Sequence, residues 1–488
     1  MTEQTSQTPL QTEVKATFKR IWVVILGVVA VAIFFLWPIL SNSPVDYANV
    51  EDHYKYGSIG SEQVNGVPYW IWKVLPDVFP DKLPGKGYDS LGFIHEPGKD
   101  LPVGFSKRRV FLDRVGLNCA VCHTGTLRET PQSEHQVIAA MPANVVNLQG
   151  YIKFVSEVAL DSRFTASRML PEIEKISGGL NPIQKLIYQY IAIPLTRDAL
   201  IRQGNQLSFL NKQPNWGPGR VDTFNPYKAI QFHFPMDKLR EDELIGTSDF
   251  PSVWNQKPRE GLQLHWDGNN KSVDERNKSA ALGAGVTPTT IDLKRLKRLA
   301  DWLWELPPPV YPYKVNETLA ATGERLFENN CASCHAFGHP KIGKVVPIQE
   351  IATDRHRLDS YTYETLSNQN TLYAGYPWRF SHFRKTNGYA NAPLDGVWLR
   401  APYLHNGSVP NLRDLLEKPE NRPKKFYRGD DVFDQEKVGF VSNVAEESGK
   451  KYFEFDTTLP GNSNSGHVYG TELSSEAKNA LVEYMKKL

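Results

Sequence analysis

All four cysteines of this 488-residue chain fall in two copies of one five-residue frame. The first reads Cys119-Ala-Val-Cys122-His123 and the second Cys331-Ala-Ser-Cys334-His335. C-x-x-C-H is the attachment motif of c-type haem. Two thiols at this spacing reach both vinyl groups of one porphyrin, and the following imidazole meets the iron from the proximal side. A lone C-x-x-C also suits a redox dithiol or half a zinc site. Here a His follows each pair at once and no cysteine is left over. Two covalently bound haem c groups are therefore expected, with His123 and His335 as proximal iron ligands; disulfides or a shared zinc are the alternative.

Haem of this kind is attached outside the cytoplasmic membrane, and the N-terminal segment fits an exported chain. Residues 21–40 (IWVVILGVVAVAIFFLWPIL) carry no charge over a length that spans a bilayer as a helix. Lys15, Lys19 and Arg20 precede it, and Asp46, Glu51 and Asp52 follow. The positive-inside rule then places residues 1–20 in the cytoplasm and everything after residue 40 outside. The expectation is a single-pass protein of a bacterial inner membrane, held in the lipid bilayer through 21–40, with periplasmic haem domains. A cleaved signal peptide is the competing reading, but the run is long and lacks a clear small-x-small site.

Residues 41–105 are rich in Gly, Pro and aromatic positions and predict an irregular N-terminal wrap. The first haem domain is expected over 106–306. It closes on a segment, 291–306, whose apolar residues recur at three- and four-residue steps, as in an amphipathic helix. Pro307, Pro308 and Pro309 stop that helix and act as a stiff linker. The second haem domain is expected over 307–488, with a helix over 318–329 leading into Cys331. An amphipathic helix from Ser474, a plausible cap, closes the chain. A helix ahead of the haem motif and one at the domain's end is the cytochrome c plan, and both halves are expected to share it as a divergent tandem repeat. Pro251-Ser-Val-Trp254 before Trp266-Asp-Gly268, and Pro393-Leu-Asp-Gly-Val-Trp398 before His405-Asn-Gly407, form a second repeated layout. The formal net charge is +2, so no strong field points to nucleic acid.

The order C-x-x-C-H, W-D-G, C-x-x-C-H, A-P-Y-x-H-N-G over residues 106–488 resembles the bacterial dihaem cytochrome c peroxidase superfamily. Within it, the chain most resembles the rubber-oxygenase-like dihaem c-type cytochrome branch. The segments that carry this are Gly217-Pro-Gly-Arg220-Val-Asp222-Thr-Phe224-Asn225, His265-Trp-Asp-Gly-Asn269, Glu275-Arg276-Asn277, Arg400-Ala-Pro-Tyr-Leu-His405-Asn-Gly-Ser408 and Gly466-His467-x-Tyr469-Gly470.

The resemblance implies a mainly α fold of two tandem cytochrome c-like domains with long irregular loops, beside the N-terminal transmembrane helix. His467 stands where the peroxidases place a Met ligand, which makes it the distal ligand of the second haem iron; His405 is its rival or a pocket residue. For the first haem, His135, Met141 and His265 are candidate distal ligands, and an open or weakly occupied iron is preferred. Trp266 matches the Trp between the haems and would relay electrons. His265 replaces a frequent Phe and adds an acid, base or ligand. The acid that peroxidases carry later is missing. Arg276 either stabilises a peroxide anion or pairs with a haem propionate. Asp249 matches a calcium ligand, and as a bare residue it would equally cap a turn.

The expected function is a haem-dependent oxidoreductase, cytochrome c peroxidase-like or dioxygenase-like. The first haem would react with peroxide or dioxygen and the second would transfer electrons to or from a redox protein or the quinol pool. A non-catalytic periplasmic electron carrier, and an oxygenase cleaving a hydrophobic isoprenoid-like substrate, are the alternatives.

Overall fold

The computed structural model describes residues 41–488 together with 19, 21–23 and 25–27. Helices hold 42% of the chain and strands 13%, so the expected mainly α architecture is corrected to a mixed one. The largest sheet joins two strands from within the irregular wrap expected over 41–105 to two at and beyond its end. It is antiparallel, in the order β1-β3-β4-β2: β1 (Asn42–Pro44), β2 (Val67–Pro68), β3 (Phe105–Val110) and β4 (Leu112–Leu117). Lys107, Arg108 and Arg109 in a row hide β3 from an alternation test. Its buried Arg108 is satisfied instead by Asn42, Ser58 and Asp292, at 2.9, 3.1 and 2.8 Å.

The expected membrane helix and the single-pass inner-membrane placement are also overturned. Among the described residues no helix is long and apolar enough to cross a membrane. Of residues 21–40 only 21–23 and 25–27 are described; the rest of that segment, and nearly all of 1–20, lie outside the described residues.

Helix α1 (Val50–Tyr56) is capped by Asn49, whose side chain accepts from Glu51 N at 2.7 Å. Its inner face buries Tyr54 and Tyr56. The chain reaches the first cysteine frame from β4, not from a helix as the tandem plan expects. Residues Cys119–Val121 make one tight turn capped by Asn118, and β5 (Thr124–Leu127) follows, paired with β6 (Gln136–Ala139). Helices α2 (Leu148–Leu160) and α3 (Ile193–Gln206) pack on one another beyond it. Strands β7 (Arg220–Asp222) and β8 (Thr247–Asp249) pair antiparallel, with Arg220 opposite Asp249. Helices α4 (Val273–Gly283) and α5 (Leu293–Glu305) come next. In α5 the buried residues are Leu296, Leu299 and Leu303. That three-four spacing puts them on one face, and each contributes about 1.5–3 kcal/mol by burial.

The second frame does follow a helix. Helix α6 (Glu317–Asn330) is capped by Asn316 and runs directly into Cys331. It packs against the terminal helix α7 (Ser475–Met485), capped by Ser474 as the sequence suggests, with Phe327 and Tyr484 rings 5.3 Å apart. Strands β9 (Val345–Pro347) and β10 (Gly388–Ala390) pair beside this site. Strand β11 (Lys425–Arg428) pairs with Phe453–Asp456. One apolar core joins the two halves: Tyr54, Trp254 and Leu299 belong to the same cluster as Phe327, Trp398 and Leu481.

Candidate haem sites

At the first frame, Cys119, Cys122 and His123 line a cavity of about 490 Å³. The four cysteines are unpaired. Burial pushes the Cys119 thiol up to about 11 and Cys122 to about 12. The His123 ring lies 2.8 Å through Nδ1 from the Pro251 carbonyl. A carbonyl only accepts, so Nδ1 carries the proton and Nε2 is free for a metal. Burial lowers the His123 pKa to about 4, which keeps that nitrogen unprotonated. Tyr54, on α1, donates its hydroxyl to the His123 carbonyl at 2.8 Å.

The same cavity is walled by His265, Trp266 and Arg276. His265 has a left-handed backbone (φ 63°). Its Nδ1 is 2.6 Å from Asn269 Oδ1, so the other ring nitrogen is the free one. Burial takes its pKa down to about 4, so the ring is neutral. Arg276, on α4, donates to Asn277 Oδ1 at 3.3 Å and has no carboxylate in ion-pair range among the described residues. Burial, then the Arg259 charge, lowers its pKa to about 10, so the guanidinium stays charged. Trp266 donates its indole N–H to the Asp249 carbonyl at 2.9 Å and packs on the cluster around Ile351 and Tyr389.

At the second frame the proximal geometry repeats. His335 Nδ1 is 2.7 Å from the Ala392 carbonyl. Opposite it stands His467, with ring centroids 6.2 Å apart and planes at 46°. Two imidazoles on one iron, each with a metal–nitrogen bond of about 2 Å, have centroids roughly 6 Å apart. His467 adopts φ 47°, and its backbone N–H donates to Ile351 at 2.9 Å. Arg422 donates to the Gly466 and His467 carbonyls at 2.8 and 3.0 Å. The ring is buried, and its Nδ1 has no hydrogen-bond partner on another residue.

The other candidates lie elsewhere. His405 stacks on Tyr389 at 3.9 Å, with burial lowering its pKa to about 3. His135 is 60% exposed and paired with Asp431 at 2.5 Å. Met141 is buried in the core and is not part of the cavity wall. The Asp249 carboxylate is taken by the Arg428 guanidinium, with Arg220 adding a second positive charge. That setting opposes a divalent cation, so the residues do not fit calcium. Sequence reasoning missed the Pro251 and Ala392 carbonyls, although both sit at the openings of the repeated Pro-to-Trp segments. It also missed Asn269 and Tyr54, for which only the Asn closing the His265-to-Asn269 segment carried a signal.

Residues 388–428 match the family model described as RoxA-like, cytochrome c-like. The matched stretch contains the carbonyl that orients His335, together with His405 and Arg428. A domain of this class implies covalently bound haem c and a haem-dependent oxidoreductase, and it supports the rubber-oxygenase-like branch; the wider peroxidase superfamily rests on the sequence resemblance alone.

Two curated proteins of Sinorhizobium fredii are similar to the chain. One, the uncharacterized protein y4iM, is 35% identical over 250 residues, covering 45% of this chain and 56% of that protein. The other, the uncharacterized protein y4iJ, is 23% identical over 619 residues, covering 96% of this chain and 99% of that protein.

Proposed function

We propose that the chain is a dihaem c-type oxidoreductase with one open, oxidant-binding site and one closed, electron-storing site. The observation that carries this is the contrast between the two distal faces. The ring beside His123 is Phe250, at 6.4 Å, and the cavity of about 490 Å³ that His123 lines, with room for a porphyrin, carries no histidine ring in contact with His123 among the described residues, while an imidazole faces His335 at 6.2 Å. Haem c supplies redox-active iron able to bind and reduce peroxide or dioxygen. Cys119, Cys122 and His123 would hold one group; Cys331, Cys334, His335 and His467 would hold the other.

In the open site Arg276 offers an unpaired positive charge to an anionic oxidant or reduced product. His265 offers a neutral ring nitrogen that accepts a proton, and Asn269 keeps the ring turned. Trp266 stands on the cavity wall and is hydrogen-bonded to β8, which gives it the rigidity a relay needs. The closed site, with two imidazoles, suits a low-potential store that takes electrons from a redox partner.

A second reading, oxygenation of a hydrophobic substrate, is favoured by the apolar side chains in the cavity wall. Leu200, Leu207, Phe224, Tyr227 and Phe232 are among them.

The test is the haem content and the ultraviolet–visible and electron paramagnetic resonance spectra of the purified protein, with and without carbon monoxide. Two haems per chain, one of them high-spin and binding carbon monoxide, are expected. Two low-spin haems that ignore carbon monoxide in both redox states would leave an electron carrier and sink the catalytic reading.

A further inference from the structure

Arg428 on β11 and Asp249 on β8 form an ion pair whose side chains are 2% and 4% exposed. Arg428 Nη2 donates to the Asp249 carboxylate and Nη1 to the Gly407 carbonyl at 3.0 Å. The space for this guanidinium is built. Gly407 and Gly219 both have positive φ, and a Cβ at either would overlap an Arg428 nitrogen; at Gly407 it would also overlap the Asp249 carboxylate. Phe455 lies under both Arg428 and Arg220, at 5.4 and 4.8 Å.

The Asp249 backbone is tied to the first site and to the 405–407 loop. Its carbonyl takes the Trp266 indole N–H at 2.9 Å. Its N–H donates to the His405 carbonyl at 2.9 Å. Two residues on, the Pro251 carbonyl takes the His123 ring proton at 2.8 Å. One buried charge pair therefore sets the strand end that orients both the first proximal imidazole and the Trp on the cavity wall. It also ties that strand end to the loop at 405–407.

We infer that Arg428 is a positioning residue: its guanidinium serves as the bridging cation between the two halves, in place of a metal ion, and through Asp249 it holds His123 and Trp266 in register. The inference rests on the haem reading only for its spectroscopic arm. A hydrogen bond to the outer nitrogen of a ligating imidazole strengthens it as a ligand. Loosening Asp249 would weaken that bond.

The experiment compares native protein with Arg428→Gln and Arg428→Lys. It uses resonance Raman of the ferrous protein, where only the five-coordinate site shows an iron–histidine stretch, and thermal unfolding with and without EDTA. Arg428→Gln is expected to move the stretch to lower wavenumber and lower the melting temperature. Arg428→Lys, which keeps the charge but has one nitrogen to share between Asp249 and Gly407, should lie between and stands in if the Gln variant does not fold. EDTA should change neither measurement in the native protein. An unchanged stretch in a destabilised, haem-loaded Arg428→Gln overturns the positioning role. A melting temperature lost to EDTA and restored by calcium overturns the guanidinium bridge. Protein lacking covalent haem defeats the haem reading instead, and the melting measurements then decide on the bridge alone.

Discussion

His123 and His335 are oriented by the same device, a ring proton given to a backbone carbonyl, at 2.8 Å from Pro251 and 2.7 Å from Ala392. What faces them differs. His123 shares the wall of a cavity with a neutral imidazole, His265, and a guanidinium without a carboxylate partner among the described residues, Arg276. Beyond His335 a second imidazole sits at iron-bridging distance on a loop clamped by Arg422. The local approach differs too: β4 leads into the first frame, and α6 into the second. The proximal side is thus a conserved-geometry module inside one molecule, and the chemistry of each site is set from across the fold. An iron with a vacant face can bind an oxidant, and one with two imidazoles can only exchange electrons.

The strongest way to break this comparison is to remove one attachment at a time. Cys119→Ala with Cys122→Ala should halve covalent haem, read by pyridine haemochrome, and abolish carbon monoxide binding. Cys331→Ala with Cys334→Ala should also halve haem yet keep carbon monoxide binding. The reverse pattern would exchange the roles of the sites.

Next in size, His467→Ala should open the second site. Its low-spin electron paramagnetic resonance signal should give way to a high-spin one, and carbon monoxide stoichiometry should rise from one to two per chain. A spectrum that does not change removes His467 as a ligand.

Arg276→Gln sharpens the open side. An ionic hydrogen bond contributes about 1.5–3 kcal/mol, so fluoride binding to the ferric first site should weaken by roughly ten- to a hundredfold. Equal affinity would mean that the guanidinium does not reach the bound anion.

The smallest effect is expected at His405, which the fold places on Tyr389 and not on His335. His405→Phe should leave the spectra of both sites unchanged. The native ring has a pKa near 3, against about 6.5 in an unfolded chain. The unfolded state therefore binds the proton first as pH falls. Native stability is complete above about pH 6.5 and drops by about 3 kcal/mol towards pH 4. The Phe variant should lose less over that window in melting curves recorded against pH; an identical slope would mean that His405 titrates freely in the fold.

Much of the local organisation was legible along the chain. The leucine spacing of 293–305, the Ser474 cap and the helix before Cys331 follow from periodicity and capping, which act over one or two turns. The four-stranded sheet was not legible, because β3 is paired by its backbone to β1 and β4 and buries Arg108, satisfied by Asn42, Ser58 and Asp292, where an apolar alternation would be sought. Asp249 shows the same limit. The family resemblance suggested a cation ligand there, and Arg428, from the far half of the chain, supplies the positive charge.

The sequence by itself determined which side chains can attach haem and on which proximal imidazole each would sit, since two thiols and a His within five residues carry their geometry with them. Only the tertiary structure decided the distal faces. His467 meets His335, and His265 and Arg276 share a cavity with His123, because loops distant in the chain are brought together by one continuous core. No local pattern encodes that closure.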